Sequence, residues 1–98
     1  MKFGLTPEEF GLLNQLVVMP LKNRGAAVWI FGSRVRGDHQ RFSDVDVMVE
    51  SSIDLTSEMG AAKEAITQSM FPYKVDIVDL KNFSKEYLTS FESEKILL

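Results

Sequence analysis

The chain has 98 residues, of which 45% are hydrophobic and 26% are charged, as is typical of one globular domain. The formal net charge is −3, from 11 lysines and arginines against 14 aspartates and glutamates, which argues against a general nucleic-acid-binding protein. The chain has no cysteine and a single histidine, His39, so disulfide frameworks, cysteine-based zinc sites and multi-histidine metal sites are excluded. We expect one acidic domain over residues 1–98.

The first predicted element is a helix that begins after Thr6. Thr6 is a favourable N-cap, Pro7 suits the first helical position, and Glu9 completes a capping box. Apolar residues follow at helical spacing at Phe10, Leu13, Leu16 and Val17. Pro20 is expected to end or kink this helix, because proline has no amide hydrogen and its ring crowds the preceding turn. The N-terminal region shows no export signal and no apolar segment approaching the ~20 residues that cross a bilayer, which predicts a cytoplasmic protein with no membrane partner.

Further along the chain, apolar runs and periodicities predict three strands and two more helices. They are a strand over 26–31, a strand over 44–50, a helix over 54–70, a strand over 74–80 and a helix from near Ser84, followed by an apolar tail over 96–98. Between the first two strands, residues 34–42 are polar and irregular. This order predicts a single α/β domain with a sheet of three or slightly more strands. Its helices are expected to cover one face and leave the other available for a site.

The phase of the strands predicts a cluster of three acids on one face of the sheet. In the strand over 44–50, Asp44 and Asp46 share one face while valines occupy the other. In the third strand, Asp76 lies on the face opposite the apolar residues, whereas Asp79 shares the apolar face and is interpreted as a strand-end residue or helix cap. Carboxylate oxygens suit hard divalent cations, so Asp44, Asp46 and Asp76 are the candidate metal ligands of a two-metal site.

The turn after the first strand has the composition of a phosphate-binding site. Gly32 would let the main chain approach an oxyanion closely, and the Ser33 hydroxyl and nearby amides could donate to it. Arg36, and with less support Arg34, could offset phosphate charge. The sequence leaves open whether these arginines instead pair with neighbouring surface acids.

Together, these residues resemble the signature of the minimal nucleotidyltransferase (MNT) family, within the DNA polymerase beta-like nucleotidyltransferase superfamily. That signature is Gly-Ser, ten residues, then Asp-x-Asp, and it is matched without a gap from Gly32-Ser33 to Asp44-Val45-Asp46. The likeness covers nearly the whole chain, since the order of elements and the strand around Asp76 also fit. The resemblance implies a small DNA polymerase beta-like nucleotidyltransferase fold with a short mixed sheet.

The same resemblance implies a Mg²⁺-dependent transfer of AMP from ATP, with pyrophosphate leaving. Gly32 and Ser33 would hold the triphosphate, Asp44 and Asp46 would bind both Mg²⁺ ions, and Asp76 would help hold the ion that activates the attacking hydroxyl. Chains of this size resemble the antitoxin of HEPN/MNT toxin–antitoxin pairs. There the implied acceptor is a tyrosine of the HEPN ribonuclease toxin, which AMP addition silences.

Two other functions remain open at the level of sequence. The chain could be a non-catalytic antitoxin that neutralises its partner by direct binding. It could also be a catalytic subunit that nucleotidylates a small molecule or an RNA end. The acidic net charge disfavours RNA, although the basic residues Arg34, Arg36 and Arg41 keep that acceptor open.

Overall fold

The computed structural model of the protein describes residues 2–98 as a four-stranded sheet with helices packed against it. The strands are β1 (Ala27–Phe31), β2 (Val45–Glu50), β3 (Val75–Asp79) and β4 (Ile96–Leu97). Their order across the sheet is β3-β2-β1-β4, with β2 and β3 parallel and the other neighbours antiparallel. The predicted α/β class with a short mixed sheet is therefore confirmed.

Short helices and turns connect these strands. The helices are α1 (Pro7–Leu13), a π-helical segment (Asn14–Val18), α2 (Met19–Lys22), α3 (Ser33–Arg36), α4 (Thr56–Thr67) and α5 (Leu88–Glu94), with 3₁₀ turns at Leu80–Asn82 and Lys85–Tyr87. Asp79 caps the first 3₁₀ turn by accepting from the Lys81 amide at 3.0 Å, which confirms its interpretation as a cap. Every helix among residues 2–98 is too short or too polar to cross a lipid bilayer.

Helix α1, the π-helical segment and α2 follow one another without a break, and we call them the first helical rod. The rod passes through Pro20 and ends at Lys22, so the proline does not terminate it. The turn before the proline is widened instead: the Met19 amide donates to the carbonyl of Asn14, five residues back. A wider turn accommodates the proline ring, which would collide with the carbonyl four residues earlier in a regular α-helix. Gly25, with φ of +91°, then reverses the chain into β1.

One face of the sheet forms the main hydrophobic core. Val28 and Ile30 of β1 and Val45, Val47 and Val49 of β2 are almost completely buried there, as their alternation predicts. The apolar residues of the helices that pack on this face include Leu13, Val17, Leu21, Ala62 and Ile66. The first helical rod and α4 therefore cover this face of the sheet, which we call the covered face.

The opposite face is covered in part by α5, which corrects the expectation that helices cover one face only. Phe31 of β1 points to this side, and its ring meets those of Phe83 and Phe91 edge-on, with centroids 5.7 and 5.4 Å apart. Phe91 is 1% exposed and lies outside the main core cluster. The rest of this face carries the acids, and we call it the open face.

Two short elements were not recognised from the sequence. The apolar tail forms β4, whose residues Ile96 and Leu97 pair with Ile30 and Trp29 of β1. The polar stretch after β1 begins with α3, a single helical turn. Neither element is long enough to show a periodicity in the sequence, so each is recognised only from its hydrogen bonds and contacts in the folded protein.

Candidate active site

The site begins at the turn where β1 ends. Gly32 is buried there with φ of +86°, a left-handed conformation that side chains disfavour. A Cβ built on Gly32 would also lie only 3.1 Å from Cγ of Asp46, so the turn has no room for a side chain at this position. Glycine therefore lets the main chain press directly against the Asp46 carboxylate, and Ser33 follows as the first residue of α3.

The structure brings Asp46 and Asp76 together, because they are direct partners in the parallel register of β2 and β3. Asp44 lies just before β2 and is exposed. Burial, and then the charges of Asp76 and Asp44, raise the pKa of Asp46 to about 6, although Arg36 opposes the shift. The three predicted acids thus form one electrostatic cluster at the edge of the open face.

The acid cluster is compatible with Mg²⁺ bound jointly with a nucleotide. No three acidic or histidine side chains among residues 2–98 converge closely enough to form a complete metal site by themselves. Mg²⁺ usually takes one or two carboxylates from a protein and completes its octahedron with waters and substrate phosphates. Carboxylate oxygens are suitable donors, and the raised pKa of Asp46 reflects burial and repulsion that a cation would offset.

Two lysines lie beside the third acid. Lys74 Nζ is 3.5 Å and Lys63 Nζ is 3.8 Å from Oδ1 of Asp76, and Lys63 also donates to the carbonyl of Val75. Lys63 belongs to α4, and its side chain extends past the edge strand β3 to the acid cluster. These cations compensate the Asp76 charge when no metal ion is present.

Arg36 lies at the open end of the site and is held by two acids. Its Nε contacts Asp38 at 3.2 Å and its Nη1 contacts Oε2 of Glu94 at 3.1 Å. The hydrogen bond to Glu94, followed by that to Asp38, raises the pKa of the guanidinium above its ordinary value. Arg36 therefore lines the cleft as a permanent positive charge.

Arg34, two residues earlier, points away from the cleft and is 3% exposed. Its Nε and Nη2 both donate to the carbonyl of Ser43, at 3.0 and 2.8 Å, and its Nη1 donates to the carbonyl of Phe3 at 2.9 Å. The guanidinium also stacks over the Tyr73 ring at 4.3 Å. Arg34 thus fixes the main chain immediately before Asp44. It is not a phosphate ligand, and it does not join Arg41 in a basic surface.

Two clefts meet at Asp46. The first, of about 350 Å³, is lined by Gly32, Ser33, Arg36 and Glu94 together with aromatic residues of the α5 region, including Tyr87. The second, of about 660 Å³, runs along β3 past Asp76 and Lys63. Ligand pockets span roughly 300–1,000 Å³, so each cleft can take a small-molecule-sized group.

Glu94, Lys63 and Lys74 are charged residues of the site that the sequence did not predict. Glu94 lies 62 positions after Gly32, and nothing in the spacing of the C-terminal region connects it with the Gly-Ser turn. Lys63 belongs to α4, an amphipathic helix on which an exposed lysine is the ordinary expectation. The packing of α5 and α4 brings Glu94 and Lys63 to the site, and this packing is seen only in the folded structure.

The Nucleotidyltransferase domain family matches residues 16–98, which include every predicted site residue. The chain belongs to this family. Among curated proteins, this chain is similar to "Probable protein adenylyltransferase MntA" of Haemophilus influenzae, with 36% identity over 62 residues. That match covers 61% of this chain and 54% of the relative, so the chain matches about half the length of that protein.

Two solved structures have the same fold. A toxin–antitoxin crystal structure with AMP-PNP aligns with a TM-score of 0.65 and 20% identity, over 86% of this chain and 70% of the other. A mutant of the toxin–antitoxin MntA-HpeT aligns with a TM-score of 0.60 and 20% identity, over 96% of this chain and 72% of the other. At this level of identity the likeness establishes the nucleotidyltransferase fold.

Proposed function

We propose that this protein transfers AMP from Mg·ATP to a hydroxyl of a partner protein and acts in this way as an antitoxin. The observation that carries the proposal is the meeting of three features at one point: the Gly32-Ser33 turn, the Arg36 guanidinium and the paired Asp46 and Asp76 carboxylates. A nucleotidyl transfer needs these features, because it must hold a polyphosphate, neutralise it and present an acceptor oxygen.

The two clefts suggest how the substrates divide. In the proposal, the triphosphate lies in the first cleft against Gly32, Ser33 and Arg36, and the acceptor hydroxyl enters from the second cleft beside Asp76. The α-phosphorus then lies near Asp46, between the attacking and leaving oxygens. This arrangement suits an in-line displacement, in which the two oxygens occupy opposite sides of the phosphorus.

Asp44, Asp46 and Asp76 would hold two Mg²⁺ ions, which when bound stabilise the charge on the attacking and leaving oxygens. The acceptor oxygen forms a bond to the α-phosphorus while the bond to pyrophosphate breaks, and Asp76 accepts the hydroxyl proton. Arg36 keeps its charge throughout and can follow the departing pyrophosphate.

The partner part of the proposal rests on the relatives. One curated relative is named a probable protein adenylyltransferase, and two of the solved structures of the same fold are toxin–antitoxin structures, one of them with AMP-PNP. For this chain we propose a toxin of the HEPN ribonuclease type as partner, with a tyrosine as acceptor. The cytoplasmic location stays a prediction from the sequence.

Intact-mass spectrometry of the natural complex tests this function. The tagged protein is purified from its own cells with whatever binds it and is then incubated with Mg·ATP, beside an Asp44→Asn/Asp46→Asn double variant. We expect the partner to gain the mass of one or more AMP units with the wild type alone. A gain in both samples would contradict the assignment of these acids. An inhibited partner that gains no mass would instead identify a non-catalytic antitoxin.

A further inference from the structure

Glu94 occupies the part of the first cleft that offers hydrogen-bond donors to an anion. Its Oε1 accepts from the Gly32 amide at 3.0 Å, and its two carboxylate oxygens accept from Nη1 of Arg36 at 3.3 and 3.1 Å. The Glu94 side chain is 13% exposed and its contact with the Gly32 amide is partly buried, whereas the Arg36 side chain is 48% exposed. A carboxylate of the last turn of α5 therefore already satisfies the turn and the arginine that would bind phosphate.

We propose that Glu94 takes the place of a nucleotide phosphate in the nucleotide-free protein and must be displaced when ATP binds. The proposal rests on the proposed function, which puts the triphosphate in this cleft. A phosphate oxygen and a carboxylate oxygen are both anionic acceptors, and they compete for the same amide and the same guanidinium. Glu94 would therefore set the affinity of the site for polyphosphates.

The charges around the cleft support competition. Asp46 lines the same cleft as Glu94, so a polyphosphate that enters meets two carboxylates and one arginine. Like charges at this range disfavour binding unless a cation accompanies the ligand or one carboxylate withdraws. Withdrawal of Glu94 removes one negative charge and releases two sets of donors in a single movement.

The anchoring of α5 allows the side chain to move while the helix stays in place. Phe91, one turn before Glu94, is 1% exposed and packs edge-on against Phe31. After Glu94, Lys95 contacts both Glu92 and the Trp29 ring, and β4 pairs with β1. The helix end is therefore fixed on both sides, and rotation of one glutamate side chain suffices to open the donors.

Glu94 could compete with phosphate or support phosphate binding, and the two roles predict opposite changes in ATP affinity when its charge is removed. If Glu94 served to hold Gly32 and Arg36 in a phosphate-binding arrangement, neutralising it would weaken ATP binding. If it competes with phosphate, neutralising it strengthens binding. Glu94→Gln separates the two, because glutamine has the same shape and its side-chain oxygen still accepts from the Gly32 amide. The matched control is Glu92→Gln, an equal change of charge on an exposed residue of the same helix.

Isothermal titration calorimetry of the purified protein decides between the two roles, with inorganic tripolyphosphate, ATP and adenosine as probes, each in the presence of Mg²⁺. We expect Glu94→Gln to bind tripolyphosphate and ATP about five- to tenfold more tightly than the wild type, a gain of the size that one charged hydrogen-bonding group supplies. Adenosine affinity should be unchanged, and Glu92→Gln should match the wild type with all three probes.

Equal or weaker polyphosphate binding by Glu94→Gln overturns the inference and leaves the proposed function intact, provided that the wild type binds ATP. Failure of the wild type and of Glu94→Gln alike to bind ATP overturns both. Thermal melting verifies that the variants are folded. If Glu94→Gln does not fold, Glu94→Asp replaces it: the shorter side chain retracts the carboxylate from Gly32, so binding tighter than the wild type is again expected.

Discussion

Alternate residues of β2 lie on opposite faces of the sheet, and the residues on one face stabilise the fold while an acid on the other belongs to the candidate site. On the covered face, Val45, Val47 and Val49 of β2 are almost completely buried and contribute packing. On the open face, Asp46 lies between those valines, with its pKa raised to about 6 by burial and by its acidic neighbours. A single strand thus carries a stabilising side and a side under electrostatic strain, a combination expected of a functional site.

The two arginines of the Gly-Ser turn repeat this division. Arg34 is buried and holds main-chain carbonyls, whereas Arg36 is exposed at the cleft and pairs with acids. Residues two apart in sequence therefore have different functions because α3 turns them to opposite sides. We therefore expect substitutions in this protein to separate into those that change activity and those that change stability.

The largest effect is expected for Asp46→Asn. The amide cannot supply the negative charge that Mg²⁺ needs, so AMP incorporation into the co-purified partner should fall by about 10³-fold or more. Asp54→Asn is the matched control, because Asp54 is exposed, lines neither cleft and accepts from the Thr56 amide, a turn-capping role that asparagine also fills. Equal losses in both variants would show that the effect is not specific to the Asp46 carboxylate.

Arg34→Lys should cost about 2–4 kcal/mol of unfolding free energy, because lysine cannot reproduce the paired hydrogen bonds to the Ser43 carbonyl or the stacking on Tyr73. Urea denaturation measures this loss. Arg36→Lys is the comparison variant and should leave the stability nearly unchanged while it weakens ATP binding. A stable Arg34→Lys protein would show that this side of the turn does not depend on the guanidinium.

Val47→Ala tests the covered face and should lower the unfolding free energy by about 1–3 kcal/mol through loss of buried methyl groups. The rate of AMP transfer by the folded fraction should stay close to that of the wild type. Urea denaturation and the intact-mass assay give the two values separately. A large loss of transfer in a fully folded Val47→Ala protein would break the division between the faces.

Asp46→Asn should also stabilise the metal-free protein at neutral pH. Because the pKa of Asp46 is higher in the folded state than its ordinary value of 3.8, its charged form costs stability above pH 6, and this cost disappears as the pH falls towards 4. With allowance for solvent screening, the gain is about 1 kcal/mol at pH 7.5, or roughly 5 °C in Tm. Melting curves of both proteins from pH 4 to 8 in a chelator measure it. A gap that widens towards low pH would show that burial and repulsion of the Asp46 charge do not cause the difference.

Local patterns in the sequence were sufficient for most of the architecture and for the core of the site. The alternation of β2 and the apolar phase of β3 predicted that Asp46 and Asp76 share a face, and the parallel register pairs them directly. The positive φ of Gly32 follows from the need for a tight turn at the end of β1. Each of these is a short-range property, which periodicity and residue type express within a few positions.

Contacts between distant segments were decided only by the tertiary structure. The placement of α5 on the open face brings Glu94 to the Gly32 amide, and the packing of α4 at the β3 edge brings Lys63 to Asp76. The roles of the two arginines also depend on it, since residue type alone does not show which guanidinium is buried. The sequence determined which residues are candidates to bind a nucleotide and a metal ion, because that depends on residue type and local phase. The tertiary structure decided which charges surround them, because side chains far apart in the chain meet only after the elements pack.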